Sequence, residues 1–137
     1  MIVLGLLLIG ICWSMLILAQ AQSPTFYSIL TKDKTRLNPV TSFSSNDRIY
    51  LYTVWTDLKG DHEIKVLWIR PDKTVQETSR FTINIPPDAR NYTTWAWLFF
   101  KKGLLNISAI EEKFIGPWKA RLFLDEKFMA EYEFSVS

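Results

Sequence analysis

The sequence predicts an all-β fold: a single antiparallel β-sandwich of about seven strands over residues 22–137, preceded by an N-terminal hydrophobic helix over residues 1–21. Three observations carry this. Apolar and polar residues alternate with period two through most of the chain after residue 43. Turn-forming clusters recur at roughly 8–12-residue intervals, the spacing of a sandwich or barrel. No amphipathic helix of three turns can be written after residue 21.

The first element is the N-terminal one. Residues 1–21 contain no Asp, Glu, Lys, Arg or His, so all 16 basic and 14 acidic residues, and the net charge of +2, lie in residues 22–137. Met1 to Ala19 would rise about 28 Å as a helix, close to the roughly 30 Å of a bilayer core. With no polar face, the segment addresses a membrane. Two readings stand. Ala19-Gln20-Ala21 fits the small-x-small pattern of a signal-peptidase site, with cleavage before Gln22. Against cleavage, the segment has no basic n-region, and its apolar run exceeds the usual ~7–15 residues. A removed signal peptide is the favoured reading and an uncleaved anchor the other. Both export residues 22–137 to a periplasmic or extracellular location, tethered to the membrane if the segment stays. Cys12, the single cysteine, lacks the small residue before it and the Leu three before it that a lipobox needs; Ile11 and Ile9 stand there. It reads as an ordinary apolar residue.

In the exported part, Phe26, Ile29 and Leu30 suggest a first short strand, and Val40 to Phe43 a second. Ser44 to Asp47 is a turn cluster. Arg48 to Leu58 and Glu63 to Arg70, joined by Lys59-Gly60-Asp61, read as a hairpin, with Ile49, Leu51 and Trp55 inward on the first and Ile64, Val66 and Trp68 inward on the second. Pro71-Asp72-Lys73 ends it. Val75 to Ile85 places Phe81, Ile83 and Ile85 on one face. Tyr92 to Lys101 places Trp95, Trp97 and Phe99 on one face, read as the core side. Residues 104–115 are ambiguous between strand and helical turns. Trp118 to Leu124 and Phe128 to Val136, around the turn Asp125-Glu126-Lys127, form the last hairpin, with the cleanest hydrophobic-in, polar-out alternation of the chain.

The ending GPWKARLFLDEKFMAEYEFSV resembles the last hairpin of immunoglobulin-like β-sandwich domains of exported bacterial proteins, with Gly116, Trp118, Leu122, Tyr132, Phe134 and Val136 in the matching places. HEIKVLWIRPDKTV is similar to the central strand and turn of such domains. Both turns lack the common Gly: Lys73 stands in one, and Asp125-Glu126-Lys127 makes the other. The resemblance covers about half of the domain. It concerns packing residues, so it implies an immunoglobulin-like fold and export, and no function.

Chemistry is sparse. The single histidine, His62, reads as part of a solvated turn with Asp61 and Glu63, so no metal site is expected. No nucleophile setting, Gly-rich phosphate loop or paired-carboxylate cleft can be argued, and Glu131 and Glu133 fall on the solvent face of the last strand. No cofactor and no enzymatic activity are expected. Mixed charges exclude a nucleic-acid footprint. Asn91-Tyr92-Thr93 and Asn106-Ile107-Ser108 match the glycan-acceptor triplet, meaningful in a eukaryotic secretory pathway only.

Aromatic residues make up 15% of the chain. Trp68, Trp95 and Trp118 are expected in the core. The faces opposite the inward sets give an outer surface of Tyr50, Tyr52, Leu67, Ile69, Leu98 and Phe100. That is too apolar for a solvated sheet, so other parts of the chain cover it or it docks something. The expected function is a non-enzymatic binding or assembly module, docking a protein partner or a second copy through a sheet face or an edge strand. The alternative is a carbohydrate-binding module, which needs at least two coplanar exposed aromatics flanked by polar groups.

Overall fold

The computed structural model describes residues 24–100 and 111–137. The N-terminal segment 1–21, most of the ambiguous stretch 104–115 and the Asn106 triplet lie outside the described residues.

Among the described residues, eight strands form two packed sheets. They are β1 (Thr25–Thr31), β2 (Ser42–Phe43), β3 (Ile49–Thr56), β4 (Gly60–Ile69), β5 (Val75–Ile85), β6 (Asn91–Leu98), β7 (Gly116–Leu124) and β8 (Lys127–Val136). One sheet has the order β1-β3-β6, the other β2-β8-β7-β4-β5. All pairings are antiparallel except β2 with β8, which is parallel, so the second sheet is mixed. The purely antiparallel sandwich read from the sequence is corrected at that point. Within the ambiguous stretch, Glu112–Phe114 is one 3-10 turn.

The predicted hairpin of residues 48–58 with 63–70 does not form. β3 pairs with β1 and β6, while β4 pairs with β5 and β7, in the opposite sheet. The connection crosses between layers instead of reversing within one. Asp57 (φ 57°) and Gly60 (φ 79°) both take left-handed conformations. The Asp57 N–H donates to the Arg90 carbonyl at 2.8 Å, and Leu58 is buried in the core between them. An apolar residue inside a predicted turn is the sign of such a crossing.

The last hairpin forms as read. Leu124 and Lys127 pair around Asp125 (φ 49°) and Glu126 (φ 66°), a two-residue loop with both residues left-handed. Trp118, Ala120, Leu122, Phe134 and Val136 point into the core; Phe128, at the loop end, is exposed instead.

The core is organised around fully buried tryptophans. Phe134 stacks on Trp118 (centroids 5.9 Å apart, 22°) and meets Trp68 (6.1 Å) and Phe43 (5.6 Å) edge-on. Each buried indole N–H is satisfied. Trp55 donates to Thr94 Oγ1 at 3.0 Å, Trp68 to Ser79 Oγ at 3.0 Å, and Trp118 to the Phe114 carbonyl at 2.8 Å. No buried side-chain polar atom among the described residues lacks a partner. The described core draws on residues between Phe26 and Val136.

Two predictions follow from this packing. Thr94→Val keeps the shape but strands the Trp55 N–H in the core, and should cost about 1–3 kcal/mol in urea unfolding. Lys73 sits at φ 68° closing the β4–β5 turn, where the Lys73 N–H donates to the Arg70 carbonyl and the Arg70 N–H to the Thr74 carbonyl. Lys73→Gly removes the left-handed strain of about 1 kcal/mol, offset in part by the greater freedom of glycine in the unfolded chain. A net rise in thermal midpoint of a few degrees is expected, and a fall would contradict the strain.

Candidate functional site

The three strands of the smaller sheet read TFYSILT, IYLYTVWT and NYTTWAWL and contain no charged residue. Strands β4, β5, β7 and β8 of the other sheet each carry charges. The inner face of the small sheet is core. Its outer face is built in rows by the cross-strand register: Thr31, Tyr50 and Trp97 in one, Ile29, Tyr52 and Trp95 in the next, and Tyr27, Val54 and Thr93 in the third.

The rings of these rows contact one another. Trp95 lies 5.9 Å from Tyr50 and 4.7 Å from Tyr52, and Tyr27 lies 6.4 Å from Tyr52, with interplanar angles of 84°, 56° and 63°. Tyr50 is thereby buried on its outer side by neighbouring rings. Tyr27, Trp97 and Phe99 stay 57%, 54% and 46% exposed. Together they make an aromatic surface at one face of the domain.

Two cations lie on this surface. The Lys34 Nζ is 5.3 Å from the Tyr50 ring, 5.7 Å from Trp95 and 5.6 Å from Trp97, and the Arg48 guanidinium is 5.4 Å from Phe99. Neither meets a carboxylate within 4 Å among the described residues; aromatic faces hold both. With Tyr50, Trp97, Phe99 and the Glu77 side chain from β5 they line a cleft of about 310 Å³ at the C-terminal end of β6.

The six residues expected on the outer surface are divided by the structure. Tyr50 and Tyr52 lie on the aromatic face. Leu67 and Ile69 lie on the outer face of the other sheet, where Leu67 pairs across the ladders with Arg121 and Thr78, so they do not join the first pair. Leu98 and Phe100 are core residues, and Trp95, Trp97 and Phe99 are outside: the faces of β6 are the reverse of the expectation. Both sides of β6 are apolar at its C-terminal half, so alternation alone could not set the phase. Trp55 sets it, because its buried indole N–H on β3 takes Thr94 Oγ1 as acceptor, which turns Thr94 and, two residues on, Ala96 inward. Trp95 accordingly is not the core residue expected, whereas Trp68 and Trp118 are. Lys34, Arg48 and Tyr27 were not legible as site residues. The signal that points to their face is the absence of charge from three whole strands.

A second cluster lies at the β7–β8 loop. His62 belongs to β4 and not to a solvated turn. Its Nδ1 is 2.5 Å from Asp125 Oδ2 and its Nε2 is 2.6 Å from the Lys59 carbonyl. Asp125 also accepts the Glu63 N–H at 2.8 Å and donates its own N–H to the Glu63 carbonyl at 2.9 Å. Beside it, Glu126 pairs with Lys65 at 2.6 Å and Arg80 at 3.1 Å. Partial burial pulls the His62 pKa down, but two acceptors and the charges of Asp125 and Asp61 outweigh it, and the net shift is upward. Desolvation raises the Asp125 pKa, and the Glu63 N–H and His62 lower it further than that, for a net fall. The cluster is a charged clasp fixing the hairpin loop to β4. Among the described residues, no three His, Cys, Asp or Glu side chains are placed to hold a metal, and no helix is long and apolar enough to cross a membrane.

No protein-family model and no curated protein matches the sequence. Solved structures similar in fold include an immunoglobulin-like protein from Pseudomonas aeruginosa (14% identity, TM-score 0.47), matched over 84% of this chain and 94% of that one. A DNA-bound alkylpurine DNA glycosylase from Pseudomonas fluorescens matches at 6% identity and TM-score 0.50, over 82% of this chain and 30% of that one. A glucose complex of a β-glucosidase from Listeria innocua matches at 12% identity and TM-score 0.48, over 83% and 16%. The chain thus spans under a third of each of the two enzymes. At these identities the likeness is one of fold, a two-sheet β-sandwich, and carries no activity across.

The clasp generates a pH prediction. A histidine whose folded pKa lies above its unfolded value contributes stability that is complete below about pH 6.5 and is lost as pH rises through the folded value. The stability gap between the natural protein and His62→Gln should therefore be larger at pH 5.5 than at pH 8.5 in urea unfolding. An equal gap at both would show that folding leaves the His62 pKa unshifted.

Proposed function

We propose that the chain is an exported, non-enzymatic binding or assembly module that docks a protein partner through the outer face of its three-stranded sheet. The observation that carries this is the uncharged, aromatic face itself. Solvated sheets place polar residues on their outer side. Here three strands present rings, and three of them, Tyr27, Trp97 and Phe99, are about half exposed. Covering such residues removes apolar area from water at about 25 cal/mol per Å², before the costs of association. Tyr and Trp are also the residue types enriched where interface energy is concentrated. Export rests on the charge-free residues 1–21, and membrane tethering on their retention.

The alternative, a carbohydrate-binding module, has less support from the site. A sugar platform needs coplanar exposed rings, and the ring pairs of this face stand 56–84° apart. Tilted rings make a corrugated surface that fits side chains better than the flat face of a pyranose.

The test is photocrosslinking in the native host, on the full chain. A photoreactive phenylalanine in place of Trp97 should give discrete crosslinks to protein. The same group in place of Thr78, exposed on the other sheet, should not. Silence at position 97, or equal labelling at both positions, would sink the docking reading.

A further inference from the structure

We infer that the free edge of β6 is a strand-addition site for an extended, acidic segment of the partner; the inference rests on the docking reading above and specifies the chemistry of what docks.

The edge comes first. The bond from the Asp57 N–H to the Arg90 carbonyl begins the β3–β6 ladder. In an antiparallel pair, bonded residues recur every second position. The pairs Trp55–Tyr92, Thr53–Thr94, Leu51–Ala96 and Ile49–Leu98 are then the bonded ones. The backbone groups of Thr93, Trp95 and Trp97 consequently point away from β3, toward the side where, among the described residues, the sheet has no further strand. The side chains of the same three residues lie on the aromatic face. An extended chain laid along β6 would therefore take main-chain hydrogen bonds from the residues whose rings it packs beside.

The other edges are defended. β5 carries Glu77 and Arg80 along its length. β2 is two residues long. On β1, the Leu30 carbonyl already accepts the Val40 N–H at 2.8 Å. Charge, shortness and covering chain are the usual means of blunting an edge. The eight residues of β6 contain no charge, no proline and no glycine, and among the described residues no strand pairs with its outer edge.

Charge then selects the occupant. Lys34 and Arg48 lie on the rings at the end of this edge, and the cleft they share contains one carboxylate, Glu77. The cleft is positive by one charge. A second copy stacked face to face would bring these cations against their own counterparts. An acidic side chain on the added strand would meet them, and a basic one would be repelled. The fitting segment thus alternates β-branched or aromatic residues with at least one Asp or Glu near the Trp97 end.

The probe is a phage-displayed library of random twelve-residue peptides, selected on residues 22–137, which contain the whole described core. Enriched sequences should be acidic and β-prone. Synthetic copies should lose at least tenfold in affinity against the Lys34→Glu/Arg48→Glu variant, both exposed positions whose change leaves the core untouched. Binding should slow hydrogen exchange at the Thr93, Trp95 and Trp97 amides at least tenfold. Enrichment of neutral or basic peptides, indifference to charge reversal, or unprotected amides at those three positions would overturn the inference. In that case crosslinking at position 97 could still succeed and the docking reading would stand. Sedimentation of residues 22–137 with phosphatidylglycerol vesicles, without any peptide selection, would overturn it in favour of a membrane-facing surface.

Discussion

The fold depends on the burial of three indoles whose N–H groups each need an acceptor. A Trp side chain brings the largest apolar area of any residue, but its single donor cannot be left unpaired in a core. Trp55 recruits Thr94, Trp68 recruits Ser79, and Trp118 recruits the Phe114 carbonyl. These bonds tie β3 to β6, β4 to β5, and β7 to the 3-10 turn. Three side chains thereby hold parts of both sheets and one end of the sandwich in register. Phe134, in contact with Trp68 and Trp118, joins two of them into one cluster.

The same demand shapes the surface. Thr94 must face inward to accept the Trp55 N–H, with Ala96 on the same face opposite Leu51, so Trp95 and Trp97 must face outward, since neighbours on a strand alternate. The aromatic outer face is in this sense a consequence of core packing on β6. On β3 it is reinforced, because Tyr50 and Tyr52 alternate with Leu51 and Thr53. Charged residues that would otherwise solvate the sheet are displaced to its margins, where Lys34 and Arg48 reach back over the rings. The opposite sheet has the ordinary arrangement: Lys119 and Arg121 of β7 pair with Glu131 of β8 across a wet surface.

Much of the fold was legible in the sequence because period-two alternation is strong in β7 and β8 and the turn clusters fall between strands. The last hairpin, the inward faces of β3 and β4 and the burial of Trp68 and Trp118 all follow from it. What alternation cannot give is partnership. Strands β3 and β4 are adjacent in sequence and separated by a short connection, yet lie in different sheets, because Leu58 is drawn into the core. Phase is the other blind spot. On β6 both faces are apolar, and only a contact across 39 residues, Trp55 to Thr94, decides which is buried. Of the six residues expected on one outer surface, Tyr50 and Tyr52 stand on the aromatic face, Leu67 and Ile69 on the other sheet and Leu98 and Phe100 in the core, and the cations that border the face come from outside the strands.

The short parallel pairing of β2 with β8 has a mechanical side. The Ser135 N–H donates to the Thr41 carbonyl and the Ser137 N–H to the Phe43 carbonyl, at 2.8 and 3.0 Å. β2 lies near the chain's beginning and β8 at its end, and the two run in the same direction. Tension between the termini pulls them in opposite directions along their length. Those bonds are then loaded together in shear and do not peel one at a time. A domain held at its N-terminal side and pulled by whatever it grips would carry the load through β1 and then through this pairing, at its shortest strand.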